Sequence, residues 1–325
     1  MTVNFKTLRS FVAAVDAGSL SSAAQRLHVA QPALSQHIAS LEEHFGRRLL
    51  NRSNAGVTAT RAGLELYRHA GLILSHLEQA ERELASHDDT AAISGNVSVG
   101  LATYSTASIL SLPLLQAVRR DYPGINLFIN DNFGLLLSEM VVSGRMDMAV
   151  IYAAKPIKGL ALHPLLTEDL CLIAPAGMTL PQAAEPTIAL RSLAGLDLLL
   201  PSRTHFLRWI IDDAFASVGV TPRITAEIES VATLGQAIEA GLGATILPSA
   251  SASVWTQKLD ARPVTRRIVE PGLQATLSLC VADNVPMSEQ ARVVLDILRQ
   301  QIAGLFENGR HIGVRDAAPS VAQDV

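Results

Sequence analysis

The sequence is poor in cysteine and in charged residues, and each of these two shortages excludes a class of protein. Cys171 and Cys280 are the only cysteines among 325 residues and form no CxxC pair, so we expect two buried thiols and neither a disulfide nor a metal site. Aromatic residues make up 4% of the chain and charged residues 17%, whereas hydrophobic residues reach 49%, which excludes a disordered chain. A globular protein with two or three domain cores is therefore expected.

Motifs that anchor enzyme active sites are also missing. The chain contains no GxGxxG, GxxxxGK[ST], HExxH or GxSxG motif. Among the nine histidines, His37 with His44 and His69 with His76 lie seven residues apart, too far along a helix to share one metal ion. We expect no enzymatic activity, no cofactor and no metal.

Long hydrophobic runs are missing as well. Asp16 interrupts the apolar stretch near the start far too early for a signal sequence, and no run is long enough to cross a bilayer. We therefore expect a cytoplasmic protein with no membrane partner.

Charge is distributed unevenly along the chain. Residues 1–70 hold eight basic residues against four acidic ones, whereas the remainder holds 18 against 26. A basic excess confined to one segment is typical of a surface that binds nucleic acid. The first 70 residues are therefore the candidate DNA-binding region.

Residues 30–63 are typical of a recognition helix followed by a small wing. Pro32 suits the first turn of a helix, and four apolar residues then recur at spacings of four, three and four. These residues, which predict one buried face, are Leu34, Ile38, Leu41 and Phe45. The opposite face carries side chains that can hydrogen-bond to base edges, namely Gln31, Ser35, Gln36 and Ser40. Cations that suit a DNA backbone bracket the turn at 54–56, and they are Arg47, Arg48, Arg52 and Arg61.

Two shorter helices are predicted before the recognition helix. The first has an apolar face of Leu8, Phe11, Val12 and Val15 and ends at Gly18. Ser19 can cap the second, whose small face is formed by Ala23, Ala24 and Leu27. A short helix, a tight turn and a third helix with a polar start predict a helix-turn-helix that enters the major groove.

This segment resembles the DNA-binding domain of the LysR-type transcriptional regulators. The residues that carry the resemblance are Phe11, Ala23, Ala24, Leu27, Gln31, Pro32, Ala33, Leu34, Ser35, Ile38, Leu41, Glu42, Gly46, Leu49, Arg52, Thr60, Ala62 and Gly63. The chain departs from the family pattern at Leu50, Ala59 and Arg61. The resemblance implies a winged helix-turn-helix over 1–59 that binds double-stranded DNA. The DNA-binding residues it implies are Gln31, Pro32, Ala33, Ser35, Gln36, Ser40, Arg52, Thr60 and Arg61.

A long helix is predicted after the wing, over residues 60–89. Apolar residues repeat along it with a heptad period, forming a seam of Leu66, Ala70, Ile73, Leu77, Ala80 and Leu84. A seam of this length either packs on the protein's own domains or pairs with a second copy. The family resemblance implies that this linker helix pairs with its twin, giving a homodimer or homotetramer, and that RNA polymerase is a further partner.

The second half of the chain alternates predicted strands and helices. The strands are 97–101, 125–129, 148–152, 170–174, 198–200, 224–228, 244–247 and 277–281, and the helices are 109–122, 135–142, 206–218, 231–240 and 288–306. This alternation predicts two α/β subdomains with mostly parallel strands and a cleft between them. The resemblance implies a hinge at 90–95 and an effector-binding domain over 96–307 made of two Rossmann-like subdomains, with the type 2 periplasmic-binding-protein-like fold. Residues 308–325 are expected to form a disordered tail.

Hydroxyl side chains follow several of the predicted strands. In open α/β sheets ligands bind beyond the carboxyl ends of strands, where helix N-termini attract anions. The candidate effector-binding residues at these ends are Thr103, Tyr104, Ser105, Thr106, Ser202, Arg203, Thr204, Ser230 and Thr233. They predict a site for a small organic anion, although serine and threonine are also ordinary helix caps.

Two functions remain after these exclusions. The first is a ligand-responsive, sequence-specific transcription regulator that binds DNA as an oligomer. The second is a cytoplasmic small-molecule-binding protein whose N-terminal helices serve assembly only. The polar helix face and the arginines that follow it favour the first.

Overall fold

A computed structural model describes residues 3–53, 56–85, 93–153, 156–181, 185–249, 262–283, 285–307 and 314–316. The chain forms two compact units, one of Met1–Ala91 with Val142–Arg145 and one of Ala92–Val141 with Met146–Val325. Within the described residues, no helix is both long and apolar enough to cross a membrane.

The first unit is a winged helix-turn-helix that continues into a long helix. Its elements are α1 (Phe5–Ala17), α2 (Leu20–Arg26), α3 (Gln31–Phe45), β1 (Leu50–Ser53), β2 (Gly56–Ala59) and α4 (Arg61–Ala85). Helix α1 begins with a capping box, in which the Asn4 side chain accepts a hydrogen bond from the Thr7 N–H at 3.0 Å. It ends at Gly18, whose φ of 59° lies in the left-handed region that glycine adopts most readily. The predicted helices and wing are therefore present, and the predicted turn residues 54 and 55 lie outside the described residues.

The core of the first unit is formed where α3 packs against α1 and α2. Phe11, Leu34 and Ile38 are fully buried there, and α4 joins the same core through Tyr67, Ala70 and Leu74. The prediction that Phe45 belongs to this buried face was wrong, because its side chain is 44% exposed. Phe45 is the last residue of α3, and the chain turns away at the left-handed Gly46 before its ring can reach the core.

The second unit is a mixed α/β domain. Its strands are β3 (Gly95–Ala102), β4 (Ile125–Asn132), β5 (Met148–Tyr152), β6 (Leu160–Ala174), β7 (Thr187–Ala189), β8 (Asp197–Leu200), β9 (Arg223–Glu227), β10 (Thr245–Pro248), β11 (Val264–Val269), β12 (Gln274–Ala282) and β13 (Val314–Asp316). Its helices are α5 (Ser111–Asp121), α6 (Gly134–Val142), α7 (Phe206–Ser217), α8 (Val231–Glu239) and α9 (Glu289–Glu307). The last of these helices packs on β3 and α5.

Strand β6 connects two α/β subdomains within this unit. Its first part pairs with β12, and its last five residues pair with β10 and β11. The first subdomain contains β3, β4, β5, α5, α6 and α9, and the second contains β7 to β11, α7 and α8. Pairs β3/β4, β3/β5 and β8/β9 are parallel, as the βαβ alternation predicted, and so is the pair β7/β11, whose strands were not predicted. The sheet as a whole is mixed, however, because β6 and β12 run antiparallel to their neighbours as they pass between the subdomains.

Part of the predicted tail is ordered. Val314–Asp316 form β13, which pairs with β6 at Leu166, Thr167 and Glu168, on the edge that β12 leaves open. For these three residues the expectation of disorder is corrected, and the other residues of the predicted tail lie outside the described ones. The predicted hinge at 90–95 is described only from residue 93, two residues before β3 begins.

Candidate functional site

Helix α3 presents a polar face to solvent. Gln31, Pro32 and Gln36 are exposed and Ser35 is half-buried, whereas Leu34 on the other face is fully buried. Two further predicted contact residues, Ala33 and Ser40, are also half-buried. The residue before the helix is Ala30, which has no side-chain group that can cap the first amides. The start of α3 therefore combines exposed hydrogen-bonding side chains with the positive end of a helix dipole.

A hydrogen bond to α1 fixes the rotation of α3. Ser10 on α1 is 3% exposed, and its hydroxyl lies 2.8 Å from Nδ1 of His37 on α3. His37 is next to Gln36, so the bond orients the helix from which Gln36 projects. This histidine therefore contributes to the packing of α3 against α1.

Glu42 connects the recognition helix to the wing. Its Oε1 accepts hydrogen bonds from the backbone N–H groups of Leu49 and Leu50, at 2.8 and 3.2 Å. A carboxylate that accepts two amide bonds holds the start of β1 at a fixed distance from α3. Glu42 was not among the predicted site residues, and its place in the family pattern was the one signal for it in the sequence.

The wing is also attached to the end of α1. The N–H of Val57 donates to the carbonyl of Gly18 at 2.8 Å, and a Cβ built on Gly56 would lie 2.5 Å from the same carbonyl oxygen. Only glycine fits at position 56. Arg52 lies opposite Val57 on β1, and its side chain is exposed.

Thr60 positions α4, although the sequence predicted it as a DNA contact. Its hydroxyl donates to the Arg48 carbonyl at 2.8 Å and accepts from the Gly63 N–H at 3.0 Å. This hydroxyl therefore caps α4 and secures the wing. Arg61, the next residue, has a side chain that is 96% exposed, and its Nε lies 3.9 Å from Oε1 of Glu65.

The predicted seam on α4 divides into two parts. Ala70 is fully buried and Leu66 half-buried within the core of their own unit, so this part packs on the protein itself. Ile73 is 44% and Leu84 71% exposed, and Ala80 is exposed too, whereas Leu77 is half-buried. The exposed part leaves large apolar side chains in solvent, which is typical of a surface that binds another molecule.

After β3, the Ser105 hydroxyl and the Thr106 backbone amide are engaged within the chain, whereas the buried Thr106 hydroxyl has no hydrogen-bond partner among the described residues. Ser105 is fully buried, donates to the Ala102 carbonyl at 2.7 Å and accepts from the Ala107 N–H at 3.1 Å. The Thr106 N–H donates to Oε1 of the buried Glu168 at 3.1 Å, and Glu168 also accepts a hydrogen bond from the Tyr152 hydroxyl. Burial raises the pKa of the Glu168 carboxyl, and these hydrogen bonds oppose that rise. A carboxyl group of the protein itself therefore meets the amide where an anion was predicted.

Tyr104 brings the two subdomains of the second unit together. Its hydroxyl donates to the Ile228 carbonyl at 3.0 Å, and its ring centroid lies 5.6 Å from that of His205. His205 is 4% exposed, and its Nε2 lies 2.6 Å from Oε2 of Glu229. Burial raises the pKa of the Tyr104 phenol, and the charge of Glu229 adds to the rise, so the hydroxyl keeps the proton that it donates.

The other predicted effector residues lie around this cleft or at its rim. The hydroxyls of Ser202 and Thr204 are 2.7 Å apart, and the exposed Arg203 lies 3.8 Å from Asp212. The exposed Ser230 caps α8 by accepting from the Thr233 N–H at 3.2 Å. Thr103 is half-buried and its N–H donates to the Asn132 carbonyl at 2.9 Å.

Two cavities in the second unit lie away from these residues. One of about 760 Å³ is lined by apolar residues of β6, by mostly polar residues of β12 and by Ile210 and Asp213 of α7, and one of about 360 Å³ lies beside Thr187 and Glu270. Tyr104 and Ser202 line neither of them. Among the predicted effector residues, Tyr104 is the one that contacts the opposite subdomain, through Ile228 and His205.

Both cysteines are buried thiols, as the sequence predicted. Burial raises the pKa of Cys171 to about 11 and that of Cys280 to about 12. At pH 7 the reactive thiolate of Cys171 is then about one ten-thousandth of the total. We expect the folded protein to resist N-ethylmaleimide, with both thiols reacting in guanidinium chloride, as measured by mass spectrometry. Rapid modification of either thiol without denaturant would contradict this burial.

Known family models match both units. Residues 5–64 match the bacterial regulatory helix-turn-helix protein, lysR family, and residues 91–303 match the LysR substrate binding domain. The chain belongs to the LysR family of transcriptional regulators. Its winged helix-turn-helix is therefore a DNA-binding domain, and its second unit is an effector-binding domain.

Relatives cover nearly the full length of the chain. It is 39% identical to the nitrogen assimilation regulatory protein nac of Escherichia coli K12 over 93% of this chain and 96% of that protein. It is 38% identical to nac of Klebsiella aerogenes over 91% of this chain and 94% of that protein. These relatives are named as regulatory proteins rather than enzymes.

Solved structures of LysR regulators share the fold. A full-length OxyR variant from Pseudomonas aeruginosa is 24% identical with a TM-score of 0.71, covering 93% of this chain and 95% of that one. Full-length CbnR in complex with its target DNA is 22% identical with a TM-score of 0.59, covering 92% of this chain and 99% of that one.

Proposed function

We propose that this LysR-family regulator reads a specific DNA site with the exposed face of α3 and holds the phosphate backbone with the wing. The observation that carries the proposal is the Glu42 carboxylate, which ties β1 to α3 through two amide hydrogen bonds. This attachment keeps Gln36 and Arg52 in one fixed relation, so base contacts and phosphate contacts can form together.

The pathway that the protein controls is proposed from its relatives. Both nac proteins are named for nitrogen assimilation and match more than nine-tenths of this chain. We propose that this protein controls genes of nitrogen metabolism in the cytoplasm and acts through RNA polymerase.

Assembly into a homodimer or homotetramer is part of the same proposal. The exposed Ile73 and Leu84 on α4 supply one apolar surface. In the second unit, Leu112 on α5 is 62% exposed and Phe128 on β4 is 53% exposed. Large apolar side chains in solvent on both units favour a protein that buries them against further copies of itself.

Two substitutions distinguish base reading from backbone binding. Gln36→Ala is expected to weaken binding to the specific site by about 1–3 kcal/mol and to leave nonspecific DNA binding unchanged. Arg52→Ala is expected to weaken binding to every sequence and to reduce the slope of log K against log salt by about one. Fluorescence anisotropy with specific and scrambled duplexes at several salt concentrations measures both effects.

The matched controls replace a glutamine and an arginine of the second unit, which are the same residue types as Gln36 and Arg52 but lie outside the DNA-binding domain. Gln236→Ala and Arg191→Ala replace exposed residues and are expected to leave DNA binding unchanged. Equal losses on specific and scrambled DNA for both Gln36→Ala and Arg52→Ala would contradict the assignment. Absence of any DNA binding by the wild-type protein would instead favour a small-molecule-binding protein whose N-terminal helices serve assembly.

A further inference from the structure

Three contacts close the cleft between the two subdomains of the second unit. The Tyr104 hydroxyl donates to the Ile228 carbonyl at 3.0 Å, and the Phe133 ring centroid lies 5.5 Å from that of His205. Gly134 completes the closure, because a Cβ built there would lie 2.7 Å from the ring of Phe206. We call these three the closure contacts. Each joins a residue of the first subdomain to a residue of the second.

Tyr104 stands at the centre of the closure contacts in an unusual backbone conformation. Its φ is 59°, in the left-handed region that bulky side chains rarely adopt, and its side chain is 98% removed from solvent. A non-glycine residue stays in this region when the surrounding structure over-determines it. The strained backbone directs the phenol ring out of the first subdomain and against the second.

Several of the groups that were predicted to bind a small anion are engaged by the protein itself, although the buried Thr106 hydroxyl has no partner within the part of the chain that the structure describes. The Thr106 amide donates to Glu168, and the Ser105 hydroxyl is used within its own turn. In the second subdomain, the aromatic face of His205 and the Ile228 carbonyl meet the tyrosine ring and hydroxyl. A carbonyl acceptor beside an aromatic wall suits a phenol rather than an anion, because two acceptors repel each other.

We propose that Tyr104 is a built-in occupant of the effector cleft, a side chain that takes the place of a small-molecule ligand and holds the subdomains closed. This proposal rests on the second unit being the effector domain of the regulator described above. A tethered group binds at a high effective concentration, so a free ligand must displace the ring before it can enter. The closed state is therefore favoured without any ligand.

If the tyrosine ring is removed by substitution, the same chemical group can be supplied as a free ligand. Tyr104→Gly empties the cleft, and glycine adopts the positive φ without strain. We expect p-cresol, which has the structure of the tyrosine side chain, to bind this variant and raise its Tm by several degrees. We expect no such rise for the wild-type protein or for Tyr104→Phe, in which a ring still fills the cleft. Calorimetry and thermal unfolding measure both expectations.

Hydrogen exchange reports whether the ring closes the cleft. Amides of residues 202–206 and 228–230 should exchange faster in Tyr104→Gly than in the wild type and slow again when p-cresol is added. Tyr122→Gly removes a half-buried tyrosine from the end of α5 and serves as the matched control. Equal stabilisation of both glycine variants by p-cresol would show nonspecific binding and overturn the proposal.

The wild-type protein supplies a test that does not depend on a variant folding. We expect no saturable heat when it is titrated with sulfate or with small organic acids. Saturable binding of such an anion, abolished by Ser202→Ala, would overturn the proposal because the cleft would then be open to anions. Specific DNA binding by the same wild-type preparation tests the proposed function separately, so either idea can fail while the other stands.

Discussion

Replacing both Ile73 and Leu84 with aspartate is expected to convert the oligomer to folded monomers and to lower affinity for DNA with two half-sites by about a hundredfold or more. Both side chains are exposed on α4, so the charges do not disturb the core of a single chain. In an oligomer they would be buried without a partner, which strongly opposes association. A monomer then loses the second half-site and the gain in affinity from binding two sites at once.

Leu64→Asp is the matched control for this double variant. Leu64 is 53% exposed on the same helix but lies off the heptad seam, so its replacement should leave the mass unchanged. Analytical ultracentrifugation gives the mass, and circular dichroism confirms that the helix remains. An unchanged oligomer mass for the folded Ile73→Asp and Leu84→Asp double variant would mean that α4 does not form the interface.

Replacing Arg208 with alanine is expected to lower the free energy of unfolding of the second unit by about 3 kcal/mol. Arg208 on α7 is 1% exposed, and its guanidinium donates to Asp212 at 2.8 Å, to Glu227 at 2.8 Å and to the Pro201 carbonyl at 2.9 Å. The substitution removes these three hydrogen bonds and leaves a void in a buried position. It also loosens the end of β8, where Ser202 begins the loop to α7.

Arg203→Ala provides the comparison, because it also removes a cation near Asp212. The Arg203 side chain is 77% exposed, and its Nε lies 3.8 Å from Oδ2 of Asp212. An exposed ion pair of this kind contributes no more than about 1 kcal/mol to stability. Urea unfolding followed by tryptophan fluorescence reports on this region, since Trp209 lies directly after Arg208 on α7. Similar losses of stability for the two variants would mean that the buried hydrogen bonds of Arg208 stabilise the second unit no more than an exposed ion pair does.

The sequence predicted the elements whose residues are uniformly apolar or regularly spaced. Strand β5 has the predicted bounds, and α6 and α7 differ from prediction by a single residue at one end. Strand β11 and the first part of β6 were missed. The first contains Arg266 and Arg267, and the second contains Pro164, so neither forms the continuous apolar run that signals a buried strand.

The sequence predicted which side chains of α3 are exposed, because residue spacing determines exposure along a helix. It did not predict contacts between residues that lie far apart in the chain. The spacing along α3 separates Gln36 from Leu34 without reference to any other element. In contrast, Tyr104 meets Ile228 across 124 positions of the sequence, and no local pattern records that partner. The sequence therefore placed Tyr104 after the end of a strand, but it did not predict the hydrogen bond from Tyr104 to Ile228.

Strand β6 makes the two subdomains inseparable as folding units. Its residues up to Asp169 hydrogen-bond to β12, and those from Leu170 onward pair with β10 and β11. A chain divided between Asp169 and Leu170 would leave each half with an unpaired edge, the surface through which sheets aggregate. Exchanging one subdomain alone for that of another regulator would break these pairings, so we expect such effector domains to be inherited as single pieces.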